Sequence, residues 1–260
     1  MSLINNLKTG FLRMFGDIKV FKWPMFILYD PGSYKVKGED MREVIKIIEP
    51  GDMLVRGYDN YVDGYFIPGY FSHAGLYIGK VTEDDKKIIK TKKGEKNFKT
   101  GDQMIIHSMA EGVFMEDILN FCRCDEMAIV RFPKQFTATK KLSTKDVLFD
   151  QFNEKEKEYF NKLNNNEVIP YAEVFKTIFE LALQQLGKKY DFNFNFKNYN
   201  DLSCTEFVYF CIKSLEGFHG LKPKERKVFM FDKTMIIPDA FMEVNFQKVW
   251  QSKSVKKDFI

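Results

Sequence analysis

The sequence is poor in the residues that disulfide, metal and membrane chemistry require. Cysteine occurs four times, at Cys122, Cys124, Cys204 and Cys211, with no regular spacing. So sparse a set does not build the disulfide framework of a small secreted domain. Cys122 and Cys124 form a C-x-C pair, but no second cysteine pair completes a zinc site. None of the three histidines stands at ligand spacing from it. A structural zinc is therefore not expected, and the chemistry read from the sequence requires no metal and no organic cofactor. Long apolar runs are also missing. Nothing approaches the roughly 20 apolar residues that span a bilayer. Asn5, Asn6, Lys8 and Arg13 interrupt the N-terminus before an apolar run reaches signal-peptide length. The expectation is a cytoplasmic protein. Charge of one sign is scarce too: 40 basic residues face 36 acidic ones, for a net +4. That balance is too mild to argue for nucleic acid as a partner. Lysine is concentrated between Lys80 and Lys99, where Glu83, Asp84, Asp85 and Glu95 dilute it. The stretch reads as a solvated loop, with contact to an anionic lipid or polymer as the alternative.

Aromatics, by contrast, are abundant. The 27 Phe and 12 Tyr imply a core built on large rings, or an apolar groove. A length of 260 residues allows one large domain or two small ones. The expected organisation is a leader over 1–36 packing on a single domain over 37–260. In the leader, Leu3, Leu7, Phe11, Leu12 and Phe15 share one helical face. Docking on the domain is the default use of such a face, and lying on a membrane surface is the alternative.

Along the chain, the spacing predicts a short helix over 40–48. A turn at Pro50-Gly51-Asp52 follows, then strands over 53–56, 72–79, 103–109, 112–114 and 127–132. Helices are predicted over 144–163, 171–186 and 203–215, with Gly187 ending the second. A last strand falls at 246–250. Strands first and helices second read as α+β, with the helices on one side of an antiparallel sheet.

Two segments carry chemistry. In Asp201-Leu202-Ser203-Cys204-Thr205-Glu206, Ser203 and Glu206 make an S-x-x-E capping box, with Cys204 as the first helical residue. A thiol there faces unpaired backbone N–H groups and the positive end of the helix, which predicts a lowered pKa. Those same groups can hold an oxyanion. The competing reading is a buried cysteine beside a cap; Cys211, mid-helix, reads as core. A nucleophilic thiol needs a base. His73 stands in Phe71-Ser-His-Ala-Gly-Leu-Tyr-Ile-Gly79, among small neighbours. If its strand pairs with the strand of His107, both imidazoles line one face, and His107 can orient His73. His219, between Gly217 and Gly220, reads as a surface loop residue.

These phrases occur in a recognisable order. Gly51-Asp52-Met-Leu-Val-Arg, Phe66-Ile-Pro-Gly and the His73 segment come first. Ile106-His-Ser-Met-Ala-Glu-Gly-Val113, Leu186-Gly-Lys-Lys-Tyr-Asp-Phe192, Ser203-Cys-Thr-Glu-Phe-Val208 and Ile237-Pro-Asp-Ala follow. Together they resemble the YiiX/YebB-like permuted papain-fold cysteine hydrolases, relatives of NlpC-type peptidases and of lecithin retinol acyltransferase. The resemblance spans roughly residues 50–245. It implies a circularly permuted papain-like fold, an antiparallel sheet or small barrel packed against helices. It implies Cys204 as nucleophile, His73 as base and His107 as the third polar residue, where YiiX-like sequences often have Glu. Glu111 is a competing third residue, or a turn residue. Tyr190 and Asp191 would flank the cleft, as substrate contacts or as packing. The implied activity is cleavage of an amide or ester in a small acyl-amide, peptide or lipid substrate. The rival readings are acyl transfer to or from a lipid or lipopeptide, and a non-catalytic binding module that keeps the fold.

Overall fold

The computed structural model describes residues 19–22, 25–28, 34–59, 67–89, 99–194, 196, 199–228 and 231–256. At its centre lies a sheet of six strands. In chain order these are β1 (Met53–Gly57), β2 (His73–Lys80), β3 (Gln103–Met109), β4 (Gly112–Asp117), β5 (Glu126–Arg131) and β6 (Gln247–Gln251). Their spatial order is β6-β5-β1-β2-β3-β4, and every neighbouring pair is antiparallel. The sheet is open, so of the two architectures expected it is the sheet and not the barrel.

Among the helices, those that bear on the sheet and the site are α1 (Gly38–Ile47), α2 (Ile118–Phe121), α3 (Glu154–Asn164), α4 (Tyr171–Gln184) and α5 (Cys204–Ile212). They do not lie on one side of the sheet. Successive strand residues point to opposite faces, and both faces here are apolar. Val55, Ala74, Leu76 and Ile106 pack with Ile178 of α4 and with Phe207 and Val208 of α5. Leu54, Tyr77, Ile105 and Ile129 pack with Val44 of α1 and with Ile118 and Phe121 of α2. Strands buried on both faces lose the clean alternation that marks a half-exposed sheet, which is why the second layer is hard to read from sequence.

The turn before β1 is fixed by Gly51, whose φ is +94°; a Cβ there would sit 1.8 Å from the Tyr171 hydroxyl. Next to it, Asp52 accepts hydrogen bonds from Arg131 Nε at 2.7 Å and from the backbone N–H of Glu49 at 2.8 Å. The Gly-Asp phrase thus ties β1 to β5 and to α4.

Three local expectations are corrected. The helix expected over 144–163 begins only at Glu154, because Asn153 and Glu156 form a reciprocal cap there. The strand expected over 112–114 runs on to Asp117. His219 is buried, not on the surface. Its Nδ1 accepts from the Leu221 N–H at 3.0 Å, so Nε2 donates to the Ile212 carbonyl at 3.1 Å. The leader face of Leu3 to Phe15 lies outside the described residues. No described helix is long and apolar enough to cross a membrane.

Candidate active site

Strand register builds the histidine pair. Arg56 on β1 stands opposite His73, the first residue of β2. Gly75 on β2 stands opposite His107 on β3, and His107 opposite Phe114 on β4. Side chains two apart on a strand share a face, so both imidazoles project to the side of Phe121. Glycine at 75 leaves room there; a Cβ would lie 2.9 Å from Ile105 and 3.0 Å from Phe121. His73 Nε2 lies 2.8 Å from His107 Nδ1, and the rings meet edge to face at 87°. Phe114 and Phe121 wall His107, with ring centroids at 4.4 and 5.3 Å.

The alternation that turns His107 to one face turns Ser108 to the other. Ser108 Oγ donates to the Leu202 carbonyl at 2.5 Å, just ahead of α5. Capping then fixes the start of the helix. Glu206 Oε2 accepts from the Ser203 N–H at 2.8 Å, while Ser203 Oγ accepts from the Glu206 N–H at 3.4 Å. The second oxygen of Glu206 accepts from the Phe196 N–H at 3.1 Å, binding the preceding loop to the helix. Cys204 is thereby the first residue of α5, buried, with its sulfur facing the backbone N–H of Ala74, the residue after His73.

A second clamp holds the approach to β2. Asp239 accepts from the N–H groups of Tyr70 and Phe71 at 2.6 and 2.7 Å. It comes so close that a Cβ on Gly69, where φ is +133°, would sit 2.6 Å from Asp239 Oδ2. This gives the Ile237-Pro-Asp-Ala phrase its structural content.

The electrostatics depart from one expectation. Burial pushes the Cys204 thiol up to about 11, although the N–H groups of Ala74 and Thr205 pull it down. The lowered pKa expected of a helix-start thiol is therefore reversed by desolvation. Burial likewise holds His73 well below the usual imidazole range, with help from Arg56 and His107. His107 is also lowered by burial, against the opposing pull of Glu116. Near neutrality the site holds a neutral thiol and two neutral imidazoles.

Of the remaining candidates, Glu111 is exposed in the turn between β3 and β4, and its charge reaches His107 only through space. Asp191 is buried and accepts from the Asn193 N–H at 2.7 Å. Tyr190 is half-buried and packs against Phe192 and Phe194. Sequence reasoning missed two groups beside the histidines. Glu116 Oε2 lies 3.1 Å from His107 Nε2. The buried Arg56 guanidinium lies 4.0 Å over the Phe121 ring and donates to the Phe121 carbonyl at 2.8 Å. The signal for both was the β1-β2-β3-β4 register, which a single sequence does not display. All four cysteines are free and buried, and no group of three His, Cys, Asp or Glu among the described residues is placed to hold a metal ion.

Comparison with known proteins gives the following. The crystal structure of metalloprotein yiiX from Escherichia coli O157:H7 is similar at 12% identity, over 79% of this chain and 98% of that chain, with a TM-score of 0.47. No curated protein matches the chain. Residues 47–167, which include both histidines and stop short of Cys204, match the family model described as "Permuted papain-like amidase enzyme, YaeF/YiiX, C92 family". The family that the sequence motifs resemble is thus the one whose model these residues match, that of the permuted papain-like amidases of the YaeF/YiiX type.

Proposed function

We propose that this protein is a cysteine hydrolase that opens an amide or ester bond through a thioester on Cys204. The observation that carries the reading is the buried His73–His107 hydrogen bond at 2.8 Å, set where the thiol at the start of α5 faces the backbone of Ala74. His73 Nε2 is engaged by His107, so Nδ1 is the nitrogen left for the thiol. The proposed step requires the His73 ring to reach round the strand end, since it projects toward Phe121 while α5 packs on the other face of the sheet.

The chemistry then runs as general-base-assisted attack. His73 Nδ1 takes the Cys204 proton as sulfur adds to the substrate carbonyl carbon. The tetrahedral intermediate collapses, the carbon–leaving-group bond breaks, and the leaving amine or alcohol takes that proton from His73. Water, deprotonated by His73, adds to the thioester. Its collapse releases the acid and returns the proton to the cysteine sulfur. Because thiol and imidazole both rest neutral, proton transfer accompanies attack and does not precede it. His107 orients the base. Tyr190 and Asp191, on the loop that leads to α5, are proposed to contact the substrate.

The test is intact-protein mass spectrometry after incubation with 4-nitrophenyl acetate and a mixed panel of acyl donors. A mass increase that maps to Cys204, decays in water and is absent from Cys204→Ala is expected. Equal labelling of the Ala variant would defeat the assignment. Persistence of the adduct in water, with discharge only onto an added amine or lipid alcohol, would identify acyl transfer as the activity.

A further inference from the structure

Two polar groups, one buried and one half-buried, share the histidines' sheet face, and nothing in the reaction above employs them. They are Arg56 and Glu116. Their geometry bears on a question the 2.8 Å contact leaves open. A neutral imidazole carries one N–H, on either nitrogen, so two proton patterns satisfy the His73 Nε2–His107 Nδ1 hydrogen bond. In the first, His73 donates from Nε2, and His107 carries its own proton on Nε2. In the second, His107 donates from Nδ1, and the proton of His73 sits on its Nδ1. Only the first leaves His73 Nδ1 bare.

The groups beyond His107 distinguish the two. His107 Nε2 and Glu116 Oε2 lie 3.1 Å apart. Both atoms are shielded from solvent, and neither has an aligned hydrogen bond to any other partner. In the second pattern a bare Nε2 lone pair would face a carboxylate oxygen, two acceptors opposed in a buried site, which is costly. In the first pattern Nε2–H faces the carboxylate, and a small rotation of either side chain satisfies both atoms. Arg56 fixes the charge of the acceptor: its Nη1 lies 3.9 Å from the same oxygen. Burial works against ionisation of Glu116, but the contacts with His107 and Arg56 outweigh it and keep the group a carboxylate.

We propose that Glu116 is a positioning residue: acting through His107, it fixes the proton of His73 on Nε2 and leaves Nδ1 bare to receive the Cys204 proton. The last clause rests on the reaction proposed above, whereas the proton pattern does not.

The experiment reads the pattern directly. A ¹⁵N–¹H correlation spectrum of the imidazoles in uniformly labelled wild-type protein, at neutral pH, should show both His73 and His107 protonated on Nε2. A His73 protonated on Nδ1 would overturn the proposal with no variant needed. In Glu116→Ala the second pattern should appear for both rings. Acylation of Cys204 by 4-nitrophenyl acetate should then slow by about ten- to hundredfold, by analogy with the loss of the partner that orients a metal-ligating histidine. Glu116→Gln keeps an acceptor oxygen, so it should retain the wild-type pattern and most of the rate. An Ala variant with the wild-type spectrum and rate would refute the role. Absence of Cys204 acylation in the wild type would remove the proposed function while leaving the spectrum to judge the proton pattern.

Discussion

Burial of the Cys204 thiol makes an unusual alkylation profile a sharp test. An ordinary cysteine has a pKa of about 8.5 and is roughly one-tenth ionised at about pH 7.5. With its pKa pushed up to about 11, Cys204 is ionised to only about one part in 3,000 at that pH, on the order of 300-fold less. Iodoacetamide reacts with the thiolate. Its rate at Cys204 should therefore rise about tenfold per pH unit from neutrality up to about pH 10, without a plateau near the ordinary value. Steric shielding lowers the whole line and does not alter its slope, so the slope is the quantity to measure. The assay is peptide-resolved mass spectrometry of timed aliquots, with circular dichroism at each pH to show that the fold persists. Cys122, pushed up to about 12 by burial, should follow the same slope about tenfold more slowly. A rate at Cys204 that levels off below about pH 7 would reveal a thiolate–imidazolium pair in the resting site. It would refute the claim that desolvation dominates there.

Other expectations follow from the same geometry. Cys204→Ala should abolish thioester formation while costing only about 1 kcal/mol of stability in urea, the scale of a small buried truncation; loss of the cooperative transition would contradict this. His73→Ala should lower acylation by about 10²- to 10⁴-fold, and His107→Ala by less, because it removes an orienting partner and not the base. Equal losses would place both histidines in the proton path. Stability should fall with acid. The folded pKa values of His73, His107 and His219 all lie below the unfolded value, so their contribution is intact above about pH 6.5 and is lost as pH falls through the folded values. For His219, lowered to about 4 by burial, the share is about 3 kcal/mol. Urea midpoints at about pH 7 and pH 4.5 that coincide would refute it.

Much of the site was legible because its signals are local. The capping box of Ser203 and Glu206 is a four-residue pattern, and it forms as read. The strand over 103–109 was legible to the residue, since turn residues bracket it and the alternation around His107 is regular. What escaped depends on register or on layers. Glu116 falls beyond the strand read over 112–114; its proximity to His107 exists only once β3 and β4 pair with Ile105 opposite Glu116. Arg56 is the last residue of the strand read over 53–56; that Phe121 of α2 covers it was not legible, because α2 is too short to announce itself in a pattern. His219 misled for a similar reason. Two nearby glycines suggest an exposed turn, but the imidazole closes hydrogen bonds to Ile212 and Leu221 inside the core. The thiol pKa was read from the helix terminus alone; the depth of burial that reverses it belongs to the tertiary structure.

The clamp of Asp239 on the loop ahead of His73 has a consequence in time. Its two hydrogen bonds close contacts between residues 168 and 169 positions apart, and β6 completes the sheet edge beside β5 from the same late stretch of chain. A ribosome releases the N-terminal part first. Both histidines are therefore synthesised, and able to pair through β2 and β3, while the loop beneath them still lacks its anchor. Closing so long a loop is slow relative to hairpin formation. The nascent chain thus carries the approach to β2 without its anchor until Asp239 emerges, and the final seating of that loop is deferred to the last stage of folding. A chain cut upstream of residue 237 would retain Cys204, His73 and His107 and still lack the tether on the two residues that lead into β2.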